Sequence, residues 1–277
     1  MACSDPRLTY LNSYGYNVIK LPRAGIEPLQ VLGRDKDSLE DLGELSTIWK
    51  SQSPIPSTPG PNPAMNINGE KTDNLKLSIG LDILASVLQG MKAAAPKLTT
   101  AYSRARAVQF TFINVTETLI APLEVGKYLS AGDLDSGSPF VDYFVGHDKH
   151  AYVVTSVLKS DSITVSAKQD SNVALAVDVP AIQQMVGANV TVSSGGSQNV
   201  DLTFKGAQPL TFGFKVFGIG YADGRWQIYG QAPSGSFALT LPTGQIPGHY
   251  QLPILLAPGA LISMVPTRAR QAAAVGG

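Results

Sequence analysis

Few side chains in this sequence are suited to chemistry. Cys3 is the single cysteine, and the histidines are His147, His150 and His249. His147-Asp148-Lys149-His150 sets two imidazoles close together, but no further His, Glu or Asp completes a zinc-like spacing, so the stretch reads as a solvated loop. A Cys–His nucleophile pair would need rigid support around the thiol, and Cys3 sits in Met1-Ala2-Cys3-Ser4-Asp5-Pro6, a poor setting for one. A lone thiol there suits S-acylation instead, with an unmodified cysteine as the plain alternative. Gly218-Ile219-Gly220-Tyr221 falls inside a strand pattern and runs into a hairpin, so it is not a phosphate loop, which needs a helix N-terminus after it. The sequence has no Walker A motif, no HExxH and no G-x-S-x-G elbow. These observations argue against an enzyme and against a metal or dissociable cofactor.

Bulk properties narrow the class further. In 277 residues there are 21 basic and 21 acidic side chains, with 44 % hydrophobic and 15 % charged residues. A balanced charge creates no long-range field, and no basic stripe interleaved with aromatics appears, so nucleic acid is not an expected partner. Charged residues usually make up about a quarter of a soluble domain. The deficit leaves a weakly polar surface, which suits a protein that later changes solvent. The N-terminal residues contain no apolar signal core, and no apolar run approaches the roughly 20 residues of a spanning helix. A cytoplasmic resting state is expected.

Strand patterns dominate the elements that would carry any function. Tyr152–Leu158 and Ile163–Lys168 read as two strands joined by a turn at Lys159-Ser160-Asp161-Ser162, and the second strand alternates apolar and polar residues. A water-soluble sheet and a membrane hairpin both produce that pattern. Ala107–Thr116 alternates in the same way. Further strands are expected at Asn17–Leu21, Ile26–Leu32, Ala188–Val192, Val200–Lys205 and Leu210–Tyr221, with Asp223-Gly224 turning into Trp226–Tyr229. Ser51–Pro63 holds five prolines in thirteen residues and cannot be regular. Leu77, Leu81, Leu84, Leu88 and Met91 lie at helical spacing behind a Thr72-Asp73 cap, predicting a helix over Asn74–Lys92; a shorter one is expected from Asp178 to Met185. The fold class is α+β, a twisted, mostly antiparallel central sheet with peripheral helices, because no βαβ alternation appears. After Gln231 the chain is punctuated by Pro and Gly yet carries Leu252, Ile254, Leu255, Leu256, Leu261, Ile262, Met264 and Val265. Such a tail belongs extended on a groove of the main body, either as a detachable cover or as an ordinary docked terminus.

In this order the segments resemble the gasdermins, specifically their bacterial branch. Tyr16–Leu32 is similar to the family's N-terminal signature, and Asn74–Ile79 through Asp82-Ile83-Leu84 to its first long helix. Ala151–Leu158 with Ser162–Lys168 resembles strands that enter a membrane hairpin, and Pro209–Tyr221 the strand that closes the pore-forming domain. The resemblance implies a gasdermin N-terminal-domain-like body over residues 1–244 and an autoinhibitory peptide over 245–277. It also implies removal of that peptide by a caspase-like or related protease, homo-oligomerisation, and a β-barrel pore in the inner membrane that kills phage-infected cells. The family's acylated cysteine falls on Cys3, implying a palmitoyl group there. The membrane hairpins are expected at Tyr152, Val154, Val157, Ile163, Val165, Val200, Leu202 and Phe204, with the first hairpin near Ala107–Thr116. Cleavage is expected between Thr243 and Ala257, favouring the bonds after Leu255 or Leu256, which leave a tail of plausible size. Open sheet edges cannot sit in lipid, so insertion would demand a closed ring of hairpins. The alternative is a soluble, non-catalytic binding or scaffold domain whose tail only completes the fold.

Overall fold

The computed structural model describes residues 11–35, 38–63, 74–79, 107–146, 148–168, 180, 190–195, 199–231, 252–258, 262 and 264–265. In chain order the elements begin with β1 (Asn17–Arg23), β2 (Gln30–Asp35), β3 (Ser38–Glu44), α1 (Leu45–Ile48), β4 (Trp49–Ser51), β5 (Asn62–Pro63) and β6 (Asn74–Ile79). Next come β7 (Ala107–Ile113), β8 (Thr116–Leu119), α2 (Pro122–Ser130), β9 (Gly132–Leu134) and α3 (Asp142–Val145). The chain continues through β10 (Lys149–Lys168), β11 (Val190–Gly195), β12 (Asn199–Ala222), β13 (Arg225–Tyr229) and β14 (Met264–Val265). One sheet holds twelve strands in the order β1-β12-β10-β2-β3-β14, with branches, and β4 pairs separately with β9. The strand-dominated α+β class expected from the sequence is the class observed.

Two long strands organise everything. β10 runs for 20 residues and β12 for 24, antiparallel, from Tyr152↔Gly218 to Lys168↔Asn199. The turn expected at Lys159–Ser162 does not form. β10 continues through it with register shifts at Leu158/Lys159 and Ser160/Ser162. The reason is long-range: the buried Ser160 hydroxyl donates to the Ile113 carbonyl at 2.6 Å and accepts from the Ile113 amide at 2.8 Å. Asn114 donates to Asp161 at 2.8 Å. Polar residues that look like a turn are used to knit a bulge. Val200–Lys205 and Leu210–Tyr221 likewise fuse into β12, whose ladder with β10 lapses between Lys205 and Leu210. At the same level Asn114 adopts φ 53°, separating β7 from β8. A line of irregularity therefore crosses neighbouring strands and divides the sheet into two halves.

The helix expected over Asn74–Lys92 is contradicted where it can be checked: Asn74–Ile79 is β6, paired from Asn74↔Ile113 to Ile79↔Val108. Leu75, Leu77 and Ile79 also alternate with period two, and β7 supplies a partner for that pattern, so tertiary pairing overrides the helical reading. The rest of that segment lies outside the described residues, as does nearly all of Asp178–Met185. β2 starts later than expected, at Gln30, behind Leu29 with φ 72°. The Asp223-Gly224 hairpin forms as expected, both residues at positive φ (52° and 75°), as a type I′ turn requires.

The first half of the sheet has a core on each face. One core joins Trp49, Phe144, Trp226, Phe217, Val153, Val125 and Leu129. Here α2 packs Val125, Tyr128 and Leu129 inward, with Pro122 at its first turn and Glu124 favourably placed near its N-terminus. The other core contains Ile19, Leu32, Leu39, Val154, Val157, Phe214 and Val216, together with Leu256 and Ile262 from the tail.

Candidate functional site

The tail occupies a seam in the sheet. Ile262 forms a parallel bridge to Ile19 of β1, and β14 pairs in parallel with Leu39 and Glu40 of β3. β1 and β3 are the two ends of the path β1-β12-β10-β2-β3, so the tail joins the ends and closes the path into a small barrel. Strand directions agree. Each step from β1 to β3 is antiparallel, which leaves β1 and β3 pointing the same way, and a tail strand parallel to one is parallel to the other. Every strand of the ring contributes to the enclosed core, with Leu256 7 % and Ile262 6 % exposed. Burying two such side chains contributes about 3–6 kcal/mol.

Polar contacts fix the tail's register. Asn17 donates from Nδ2 to the Ile254 carbonyl at 2.8 Å and accepts the Leu256 amide on Oδ1 at 2.8 Å, so one side chain acts as a strand edge. Arg34 Nη1 donates to the Leu256 carbonyl at 3.0 Å. The Ile254 amide donates to the Val216 carbonyl and the Ile262 amide to the Val18 carbonyl, both at 2.8 Å. Leu252 and Gln231 exchange two backbone bonds. Gly15, at φ 79°, leaves room for Pro253, whose Cγ would lie 2.9 Å from any added Cβ. Leu256 is therefore buried and bonded through both its amide and its carbonyl, so the bonds flanking it are not presented to a protease. The expectation of a cut after Leu255 or Leu256 meets this obstacle.

The second half of the sheet is an amphipathic surface. The registers align Leu75, Phe112, Ile163, Phe204 and Val192 in one row and Leu77, Phe110, Val165 and Leu202 in the next. Val108, Ala167 and Val200 follow. Between these rows lie Thr111, Thr164, Thr203 and Ser193, then Gln109, Ser166 and Asp201. Thr164 and Thr203 share a hydrogen bond at 3.0 Å. Ile163, Leu202, Phe204 and Phe112 are buried in this state. The residues expected in membrane hairpins thus divide. Ile163, Val165, Val200, Leu202 and Phe204 lie on this half, whereas Tyr152, Val154 and Val157 lie in the barrel core against the tail. β7 stands beside β10 here and pairs with β6, which gives Ala107–Ile113 a hairpin-like partner but not the Thr116 end.

Between the halves lies a polar cluster that the sequence did not single out. The Tyr16 hydroxyl donates to Glu117, which also accepts from Ser156 at 2.7 Å, and Lys215 Nζ lies 3.9 Å from the same carboxylate and 4.2 Å from the Tyr16 ring centre. Burial, reinforced by the Glu117 charge and hydrogen bond, pushes the Tyr16 hydroxyl far above its ordinary value. Burial pulls the Lys215 ammonium down, opposed by Glu117. Only contacts across four segments reveal it. Cys3, His147 and His249 lie outside the described residues, and His150 ends up near Tyr152 at the start of β10. No cluster of three or more His, Cys, Asp or Glu suited to a metal occurs among the described residues. Nor, among them, is any helix long and apolar enough to cross a membrane, which leaves crossing by strands untouched.

Residues 19–227 match the model of the Bacterial Gasdermin Family. The chain belongs to that family. A gasdermin from Vitiosangium sp. is 40 % identical over 86 % of this chain and 90 % of its own length, and one from a Desulfuromonadales bacterium 36 % identical over 85 % and 89 %. The solved structure of a bacterial gasdermin from Bradyrhizobium tropiciagri is a looser likeness, with TM-score 0.49 and 17 % identity over 82 % of this chain and 91 % of that one. As a bacterial gasdermin the protein is a pore-forming cell-death protein, and the family acts by forming pores, not by catalysis.

Proposed function

We propose that this gasdermin is held inactive by its C-terminal segment, roughly residues 245–277, and that proteolysis frees the body over residues 1–244 to assemble into a β-barrel pore. The observation that carries this reading is the tail's position as the strand that closes the barrel, with Leu256 and Ile262 in its core. Leaving the seam removes core side chains and hydrogen-bond partners together, so detachment changes the body and does not merely uncover it. An amphipathic sheet of the observed register is also what a barrel wall requires, with apolar rows toward lipid and polar rows toward the lumen.

Because Leu256 is shielded, the cut belongs N-terminal to Leu252, in the Thr243–Gln251 part of the expected window, where one cleavage releases Leu252, Ile254, Leu256, Ile262 and β14 together. The activator is a caspase-like or related protease, the resting protein is cytoplasmic, and the pore forms in the inner membrane as an anti-phage death response. Cys3 carries a palmitoyl group; one chain gives marginal membrane affinity, which many copies in a ring multiply. Intact-mass spectrometry of protein from native cells tests the acylation. Expression of residues 1–244 beside the full chain tests the mechanism: the truncated form should kill cells and empty dye-loaded liposomes while the full chain does neither. A truncated protein that merely melts lower and leaves liposomes intact favours the scaffold reading.

A further inference from the structure

The tail is held by body residues that stand directly beside members of the Glu117 cluster. Asn17, which takes the Ile254 carbonyl and the Leu256 amide, follows Tyr16. Val216, whose carbonyl takes the Ile254 amide, follows Lys215. Gly15, the neighbour of Tyr16 on the other side, is the residue against Pro253. Phe214 and Val216 lie in the core that Leu256 completes, while Lys215 between them turns to the other face and to Glu117, as alternation along β12 dictates. The remaining members stand at the divide between the halves of the sheet. Glu117 and Ser156 belong to the ladder of β8 with β10, which runs from Leu119↔Ser156 to Thr116↔Lys159 and stops there. Just beyond its end lie Asn114, at φ 53°, and the Ser160 hydroxyl bonded to both the amide and the carbonyl of Ile113. One cluster thus joins the tail's holders on one side to the first pins of the second half on the other.

The joint is a single atom. Tyr16, Ser156 and Lys215 all converge on Oε1 of Glu117. The Tyr16 backbone is fixed as well, its carbonyl accepting from Asn12 Nδ2 at 2.8 Å. Hydrogen bonds weaken steeply with misalignment, and a partly buried carboxylate that loses a donor is costly, so a shift in one side chain is felt by the other three. We propose that this cluster is the coupling element between the tail and the second half of the sheet. Glu117 positions Tyr16 and Lys215, and through them Asn17 and Val216, to hold the tail; loss of the tail is transmitted by the same contacts to the divide. Glu117 acts through its neighbours and is therefore a positioning residue. The inference rests on the tail leaving, as in the function proposed above. Coupling is reciprocal: whatever the Glu117 contacts contribute to tail docking, docking returns to those contacts. A departing tail frees Asn17 and Val216, Tyr16 and Lys215 lose their fixed positions, and β8 loosens from β10 where the second half begins.

The test is amide exchange on the full chain, followed by NMR at three places. These are the Ile254 amide of the tail, the Ile113 amide beyond the divide, and the Asp135 amide, which is bonded to the Ile48 carbonyl beside Trp49. Glu117→Gln keeps the shape of the side chain and removes its charge. It should speed exchange at Ile254 and Ile113 about tenfold and leave Asp135 unchanged. Ile262→Ala, in the later part of the docked tail, should speed Ile113 about tenfold in the wild-type background, but less than about twofold once Glu117→Gln has cut the connection. Tyr16→Phe keeps the ring over Lys215 and deletes the donor; it should give the same pattern at about threefold, and it decides the matter if Glu117→Gln does not fold. An Ile113 amide indifferent to Ile262→Ala, or equally responsive with and without Glu117→Gln, overturns the proposal. So does Asp135 rising in step with the other two, which marks a loss of global stability and nothing more. Dye-loaded liposomes separate the two readings. Leakage after the tail is severed, with no transmission to Ile113, overturns the coupling and leaves the pore. Transmission without leakage overturns the pore and leaves the coupling.

Discussion

The two cores on either side of the first half of the sheet differ in who completes them. The core around Trp49, Phe144 and Trp226 is closed by α1, α2, α3 and β13, all within the body of the chain. The core around Ile19, Val154 and Phe214 is finished by Leu256 and Ile262, which follow residues 232–251 in the chain. In the function proposed above the first serves as a scaffold and the second as a latch. One face of a single sheet is thus packed by the body of the chain, and the other is completed by its C-terminal segment.

The largest effect should come from the scaffold. Trp226 meets Trp49 edge-on at 5.1 Å and donates from its indole to Asp133 at 2.7 Å. Trp226→Ala should cost about 3–5 kcal/mol, read as a lower urea midpoint for the whole molecule. If only the tail loses protection from hydrogen exchange, the division into scaffold and latch is wrong. Ile262→Ala should cost about 2–4 kcal/mol but act locally: the Ile254 and Ile262 amides should exchange freely while amides around Trp49 stay protected. Global unfolding at the same midpoint shift would make the tail an ordinary part of the core.

Asn17→Ala should be smaller, about 1–3 kcal/mol, since it strands the Ile254 carbonyl and Leu256 amide in partly buried surroundings. It should promote leakage from full-length protein without lowering the scaffold's melting temperature; unchanged tail exchange would remove Asn17 from the latch. The least effect at neutral pH is expected from Tyr16→Phe, and its signature is pH dependence. The folded state keeps the Tyr16 proton where the unfolded chain releases it, so this contribution is full below about pH 10 and declines as pH rises further. Lys215 has the opposite sign: its lowered folded value makes stability rise toward the ordinary lysine range. The wild type should therefore lose ground to Tyr16→Phe above about pH 10. Parallel stability curves for the two proteins across that range would exclude Tyr16 as the source.

Much of this was legible in the residues, and the failures share one cause. β7, β13 and the Asp223-Gly224 turn were readable because alternation and turn chemistry are local. The apolar tail was readable because Leu256 and Ile262 are too apolar for water despite their Pro- and Gly-rich setting. Lys159–Ser162 was misread because the partners of Ser160 are backbone atoms of Ile113, remote in sequence. Asn74–Ile79 was misread because one set of leucines fits two periods, and only β7 decides between them. β3 was missed because its charged residues hide a strand that owes its place to β2 on one side and the tail on the other. The Glu117 cluster had no sequence signal at all, being assembled from Tyr16, Glu117, Ser156 and Lys215.

The most direct test of the latch is leakage measured on one preparation before and after a single cut. A specific protease site placed between Pro247 and Gln251 of the full chain allows the tail to be severed and then washed away. Dye-loaded liposomes should stay intact with uncut protein and empty in proportion to the fraction of tail lost. Leakage by the uncut chain, or intact liposomes after quantitative loss of the tail, would contradict the account.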